Sequence, residues 1–146
     1  MENLLISACL LGIPCRYDGL EKPKIVGETL KRLKEKYNLV PVCPEIYGGL
    51  PTPRVESERV GERVIMKNGT DVTENYRRGA EATLRLAKIL NCRIAILKER
   101  SPSCGHGLIY DGTFSGKLIA GDGVTAQLLT DEGIAVFGES ELEKII

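Results

Sequence analysis

The sequence lacks tryptophan, carries no net charge and contains a single histidine. Lysine and arginine together number 20, as do aspartate and glutamate, so no global field attracts nucleic acid or an anionic membrane. Aromatic residues make up only 5% of the chain, which disfavours a stacking platform for nucleic acid. We therefore expect no large nucleic-acid surface. The sequence does not indicate the oligomeric state.

Long apolar runs are also missing from the sequence. None approaches the roughly 18 residues that a membrane-spanning helix requires. The N-terminal stretch MENLLISACLLG has no basic segment ahead of its apolar residues, so it is a poor signal peptide. We therefore expect a cytoplasmic protein, without a membrane partner. In that compartment the five cysteines are more often metal-binding, catalytic or buried than disulfide-bonded.

Short apolar runs alternate with amphipathic segments along the 146 residues. Four runs are typical of buried strands: 4–9, 39–42, 94–97 and 134–137. Helical spacing occurs at 29–37, 73–90, 122–130 and 140–145. This alternation predicts one α/β domain over 1–146, a three-layer Rossmann-like fold with a central, mostly parallel sheet of about four strands. Two hairpin excursions are expected, one over 63–72 with its turn at Asn68-Gly69 and one turning at Asp111-Gly112.

Three cysteines stand at or just after the ends of predicted parallel strands: Cys9, Cys43 and Cys104. Because the carboxyl ends of parallel strands meet at one edge of a sheet, we expect these thiols to share a site. Grouped thiolates favour soft metals or iron-sulfur clusters, and three of them leave one iron of a cubane cluster without a protein ligand. No C-x-x-C pair is present, so the spacing matches neither a zinc ribbon nor a bacterial ferredoxin. Burial as a small apolar residue is the alternative for each cysteine.

Other chemically active side chains lie near these cysteines. Cys15 is in a loop long enough to fold back, so it is a further candidate as ligand, sulfur-handling thiol or structural residue. Glu45 follows Cys43 by two residues, and Ser101 precedes Cys104 by three, so they are candidates for a general base and a hydrogen-bond donor. A solvated carboxylate and a turn-forming hydroxyl are the alternatives.

Arg54 lies in the loop that follows Glu45. Its guanidinium is suited to orienting an anionic or carbonyl substrate. The alternative is a loop staple in which it pairs with Glu56 or Glu58. The sequence leaves both roles open.

Three motifs follow one another in the chain: SACLLGIPCRYDG, CPEIYGGLPTPRVESE and LKERSPSCG. Together they resemble a bacterial and archaeal family, domain of unknown function 523, whose characterised members are TudS-type thiouracil desulfidases. The resemblance spans nearly the whole chain. It implies an oxygen-labile [4Fe-4S] cluster held by three cysteines. It also implies non-redox desulfuration of a thiolated pyrimidine such as 2-thiouracil, giving uracil and sulfide.

The resemblance also implies roles for individual residues. On this sequence these are the cluster ligands Cys9, Cys43 and Cys104 and the catalytic pair Glu45 and Ser101. Separately, we expect Arg54 and Ser103 to bind the substrate. The sulfur of the substrate is expected to bind the open iron, while water activated by Glu45 attacks the thiocarbonyl carbon. A small thiolated base is thus the expected partner of the site.

Three other functions compete with this interpretation. One is a binding or sensing module whose cysteines hold zinc or a cluster without catalysis. Another is an electron carrier, in which all four irons have protein ligands. The third is a cluster-free thiol enzyme with Cys104 as nucleophile, which has no histidine near it except the adjoining His106.

Overall fold

A computed structural model describes all residues, 1–146. Its strands are β1 (Glu2–Ser7), β2 (Tyr37–Val42), β3 (Ser57–Val60), β4 (Arg63–Met66), β5 (Ile94–Leu97), β6 (Leu108–Tyr110), β7 (Leu118–Ala120) and β8 (Ala135–Gly138). Its α-helices are α1 (Gly27–Lys36), α2 (Pro44–Tyr47), α3 (Thr73–Ile89) and α4 (Val124–Asp131), and 3-10 turns cover Ala8–Leu11 and Glu139–Lys144. No helix has both the length and the apolar character needed to cross a membrane.

Four strands form a parallel sheet in the order β2-β1-β5-β8. Successive side chains of a strand point to opposite faces, and both faces of this sheet are covered. Leu5, Ala95 and Leu97 pack in one apolar cluster with residues of α3 and α4. Leu4 and Ile96 pack in a second cluster, with residues of α1 and of the C-terminal 3-10 turn. The predicted three-layer α/β fold with a four-stranded parallel sheet is therefore confirmed.

Two antiparallel hairpins are present, as predicted, but the first is built from other strands than the expected hairpin over 63–72. β3 pairs with β4 through a turn at Gly61 and Glu62, so the main hairpin lies earlier in the chain than predicted. The Asn68-Gly69 turn follows β4 and returns the chain only to a single bridge, between Ile65 and Asp71. Asp71 then accepts hydrogen bonds from the backbone N–H and hydroxyl of Thr73, which direct the chain into α3 instead of a longer strand.

The short helix α2, which the sequence analysis did not predict, packs tightly against α3. A Cβ atom placed on Gly79 of α3 would lie 1.9 Å from the carbonyl oxygen of Pro44 in α2, so glycine is required for this approach. The contact holds the segment that begins at Cys43 against the first half of α3. It thereby brings Glu45 within hydrogen-bonding distance of Tyr76.

Candidate functional site

A cavity of about 490 Å³, here called the cleft, lies beyond the carboxyl ends of β1, β2 and β5. Four thiols line it, from Cys9, Cys15, Cys43 and Cys104. The polar residues that line it include Ser7, Glu45, Arg54, Ser57, Glu58 and Ser101. The chain has five tyrosines and two phenylalanines, and four of these rings also line it: Tyr17, Tyr76, Tyr110 and Phe114.

Strand order explains why the thiols converge. β1 lies between β2 and β5, so the loops that carry Cys9, Cys43 and Cys104 leave three adjacent strands at the same edge. Cys104 is buried, Cys9 and Cys43 are half-buried, and none of the five cysteines forms a disulfide. The structure thus places the three predicted ligands and the further candidate Cys15 in one cleft, and it places Cys92 elsewhere, in the core.

The thiols differ in their acidity. Burial, together with neighbouring Cys43, raises the pKa of Cys9 to about 11. Burial also raises the pKa of Cys104, although a hydrogen bond from Ser7 favours its thiolate. An interaction with the Cys15 side chain is the main cause that lowers the pKa of Cys43 to about 7, and the Cys43 thiol donates a hydrogen bond to the carbonyl of Cys15 at 3.8 Å. Cys15 and Cys43 thus interact closely, and this interaction favours the Cys43 thiolate.

Both oxygens of the Glu45 carboxylate are engaged. Oε2 forms an ion pair with the guanidinium of Arg54, and Oε1 accepts a hydrogen bond of 3.0 Å from the hydroxyl of Tyr76. Burial alone would lower the pKa of Arg54, but the Glu45 carboxylate outweighs it and raises this pKa. These partners fix the orientation of Glu45 at the cleft.

Arg54 also connects two loops. Its guanidinium donates hydrogen bonds to the carbonyl of Cys15 at 3.0 Å and to Pro51 and Thr52 at 3.1 Å, and its side chain is only 3% exposed. The suggested pairing with Glu56 or Glu58 is wrong, because the guanidinium is held by Glu45 and these loop oxygens instead. Only its Nε, which is buried, lacks a hydrogen-bond partner.

The two predicted serines have different surroundings. Ser101 lines the cleft, and its Oγ accepts hydrogen bonds of 3.1 Å from the backbone N–H groups of Ser103 and Cys104. This is the turn-forming hydroxyl, and it keeps its own proton for donation. Ser103 is 1% exposed, is not among the residues that line the cleft, and shares a 2.8 Å hydrogen bond with the hydroxyl of Thr125. The structure therefore brings Ser101, but not Ser103, to the predicted site.

The start of α4 holds the loop that carries Cys104. The first N–H groups of a helix have no partner within it, so they need acceptors outside it. Here Val124 donates to the carbonyl of Pro102 and Thr125 to that of Ser103, both at 2.8 Å. The position of Cys104 is thus fixed by a helix that begins 20 residues later in the chain.

Several residues of the cleft were absent from the sequence-based prediction. Tyr76 lies within the predicted helix 73–90, which indicates no chemical role for it, and Ser57 and Glu58 end the motif CPEIYGGLPTPRVESE without a predicted role of their own. The aromatic side chains come from segments far apart in the sequence, so no spacing relates them. The structure alone shows that four of the seven tyrosine and phenylalanine residues of the chain gather in this cleft.

The donor set of the cleft is that of a soft metal centre. No three side chains of His, Cys, Asp or Glu are arranged to hold a single metal ion. An iron-sulfur cluster instead takes one thiolate for each iron, which suits thiols supplied by three separate strand ends. Fold and site together define an α/β protein with a thiol-lined cleft at the carboxyl edge of a parallel sheet, suited to an iron-sulfur centre.

Comparisons with known proteins agree with this class. The sequence profile described as 2-thiouracil desulfurase matches residues 4–141, and the chain belongs to the 2-thiouracil desulfurase family. It is 44% identical over 153 residues to the uncharacterized protein YbbK of Bacillus subtilis (strain 168), covering 98% of this chain and 99% of that protein. It is also similar to the solved structure of the [4Fe-4S]-dependent thiouracil desulfidase TudS, with a TM-score of 0.93 and 48% identity. The match covers 99% of this chain and 95% of the TudS chain. The resemblance found in the three motifs, and with it the assignment as an enzyme, is confirmed.

Proposed function

We propose that the chain, acting as one domain, removes sulfur from a thiolated pyrimidine such as 2-thiouracil and releases uracil and sulfide. The observation that carries this proposal is the convergence of Cys9, Cys43 and Cys104 beside a fixed carboxylate, that of Glu45. The solved relative TudS is described as a [4Fe-4S]-dependent thiouracil desulfidase, which supports the same cofactor here.

In this proposal Cys9, Cys43 and Cys104 would hold a [4Fe-4S] cluster. All three follow the ends of adjacent strands, whereas Cys15 lies in the loop beyond Cys9 and its carbonyl accepts a hydrogen bond from the Cys43 thiol at 3.8 Å. We therefore assign Cys15 a supporting role beside a ligand. When bound, the cluster supplies an iron without a protein ligand, a Lewis acid for the substrate's sulfur.

The protein side chains carry the proton transfers. Oε1 of Glu45 accepts only one neutral hydrogen bond, from Tyr76, so it has a lone pair free to take a proton from the attacking water. The ion pair with Arg54 holds the other oxygen and keeps the carboxylate turned to the cleft. The hydroxyl proton of Ser101 is free to be donated to the substrate, because its oxygen already accepts two backbone N–H groups.

The size of the cleft suits a small base. Its volume of about 490 Å³ falls in the range of roughly 300–1,000 Å³ that is usual for small-molecule sites. The neutral net charge gives no long-range attraction to RNA. We therefore propose a free thiolated base as the substrate class.

The test is anaerobic turnover by protein with a reconstituted cluster. We expect equal amounts of uracil and sulfide from 2-thiouracil. The variant Glu45→Gln should keep its iron but lose about 100-fold or more in kcat, as expected for loss of a general base. Cys104→Ser should lose the iron-dependent absorbance, whereas Cys92→Ser, a buried cysteine outside the cleft, is the matched control that keeps it.

Two results would contradict the proposal. Stoichiometric zinc without iron-dependent absorbance would favour a metal-binding module. An intact cluster with no turnover of any thiolated pyrimidine would favour a sensor or an electron carrier. In the second case, loss of the cluster from Cys15→Ala would point to ligation of all four irons.

A further inference from the structure

A backbone feature outside the thiol group marks one wall of the cleft. Phe114 lies in the loop between β6 and β7, with its ring at the cleft and a φ of 57°. A bulky residue rarely adopts this left-handed conformation, and such strain persists only where surrounding contacts impose it. Something must therefore hold Phe114 in place.

Glu58 supplies that hold. One oxygen of its carboxylate, Oε1, accepts the backbone N–H of Gly112 at 2.9 Å and that of Phe114 at 3.0 Å. Glu58 is 8% exposed and forms no ion pair with a lysine or arginine, so the loop N–H groups compensate its buried charge. These two hydrogen bonds thus attach the loop between β6 and β7 to Glu58 of β3.

The tip of the loop is also seated against β3. A Cβ atom on Gly112, which has a φ of 95°, would lie 2.6 Å from a methyl carbon of Val60. Asp111 closes the tip by accepting hydrogen bonds from the backbone N–H and hydroxyl of Thr113. The contacts leave the ring of Phe114 committed to the cleft instead of to the apolar core.

A second observation on the same wall points to a ligand. Ser57 directly precedes Glu58 on β3, is 9% exposed and lines the cleft. Its hydroxyl is buried and has no hydrogen-bond partner, although the hydroxyl of Tyr76 lies nearby. Buried hydroxyl groups normally have partners, so a polar atom of a bound molecule is the expected one.

We propose that Ser57, Glu58 and Phe114 form a base-recognition wall. Phe114 stacks on the pyrimidine ring, Glu58 is the positioning residue that holds Phe114, and Ser57 hydrogen-bonds a polar atom on the edge of the ring. The proposal rests on the proposed function, because that function makes the substrate a planar heterocycle. It assigns selection of the base to a wall separate from the thiols and from Glu45.

The test uses cluster-loaded protein and two readouts: kcat and KM for 2-thiouracil, and the Kd of uracil by calorimetry. Stacking of one base on an aromatic side chain is worth roughly 1–3 kcal/mol, so Phe114→Ala should raise KM and this Kd by about 5- to 150-fold. The kcat should change much less. Phe114→Tyr keeps a ring and should stay near wild type, whereas Phe114→Leu should resemble the alanine variant.

The role of Glu58 is tested by conservative rescue. Glu58→Gln keeps an acceptor oxygen for the two N–H groups and should retain the wild-type KM, while Glu58→Ala should resemble Phe114→Ala. Ser57→Ala should raise the Kd of uracil several-fold. Leu118→Ala, an exposed change on β7 away from the cleft, is the matched control and should alter neither readout.

If Phe114→Ala leaves both the KM and the Kd of uracil unchanged, the proposed base-recognition wall is wrong. The proposed function would still stand in that case, provided that the wild type turns over 2-thiouracil. Equal losses in Glu58→Gln and Glu58→Ala would overturn the positioning role. If the wild type binds uracil but does not desulfurate, the proposed function fails, and the calorimetric comparison still decides the wall.

Discussion

The guanidinium of Arg54 joins two parts of the cleft that are distant in sequence. It pairs with Glu45 and donates a hydrogen bond to the carbonyl of Cys15, which also accepts a hydrogen bond from the Cys43 thiol. A lysine in its place would offer a single ammonium, whereas the planar fork of arginine serves several acceptors at once. The orientation of the proposed base and that of a proposed ligand therefore depend on one side chain.

We expect Arg54→Met to lower the free energy of unfolding by about 3–5 kcal/mol, because it leaves the Glu45 carboxylate, whose side chain is 15% exposed, without its cation and three loop oxygens without their donor. Arg54→Lys should lower the free energy of unfolding by a smaller amount, because lysine keeps the charge but not all of the loop contacts. Urea unfolding measures both. Arg63→Met is the control: its pair with Asp71 is exposed, so a change below about 1 kcal/mol is expected. Equal losses at the two arginines would contradict the role of Arg54.

The sequence predicted those residues of the site whose positions follow from strand ends. Cys43 ends an apolar run, and Glu45 is close to it in the chain, so both could be placed at the sheet edge. Tyr76 could not, because its approach depends on the packing of α2 on α3. Nor could the sequence show that Ser103 turns away from the cleft, since Thr125 holds it from a distant helix.

Among the secondary-structure elements, the crossing of α2 and α3 does most to position the site. The backbones touch at Gly79, and the segment that follows Cys43 rests on this contact. α2 has only four residues and no side-chain cap at its N-terminus, so it depends on tertiary packing for stability.

In an isolated helix, Gly79→Ala would be stabilising by roughly 0.5–1 kcal/mol. Here we expect the opposite, a loss of about 1–3 kcal/mol, because the new methyl group meets the carbonyl of Pro44 and forces α2 away. Thermal unfolding measures the loss, and the KM for 2-thiouracil should rise with it. Glu81→Ala, an exposed change on the same helix, is the control. A stabilised Gly79→Ala protein would show that the two helices separate without cost.

The strands illustrate what a sequence pattern can and cannot determine at this scale. A run such as 94–97 is apolar on both faces, which identifies a central parallel strand, and it coincides with β5 (Ile94–Leu97). The Asn68-Gly69 turn was recognised, but not the partner strand of β4, because β4 pairs with β3 and Asp71 turns the chain into α3 through Thr73. Local signals located the turns, and long-range contacts decided the register.

For the molecule as a whole, the proposed cluster would act as a cross-link. Its ligands follow three adjacent strands of one sheet but come from points far apart in the chain. A metal centre that binds only the folded chain stabilises it by mass action, by about 2.7 kcal/mol at a hundredfold excess over Kd. The stabilisation should be largest where the loops meet, since the hairpins do not contribute ligands.

We therefore expect removal of iron with a chelator to lower Tm by about 5–10 °C, since 1 kcal/mol shifts Tm by roughly 2–4 °C in a chain of this size. Hydrogen exchange should become faster in 8–16, 43–56 and 98–107, the segments that follow β1, β2 and β5, while β8 and the pairing of β3 with β4 keep their protection. Cys104→Ser is the control: it starts at the Tm of the iron-free protein and should not respond to the chelator. If protection fell equally across the sheet and both hairpins, the centre would stabilise the fold globally and would not specifically join these three strand ends.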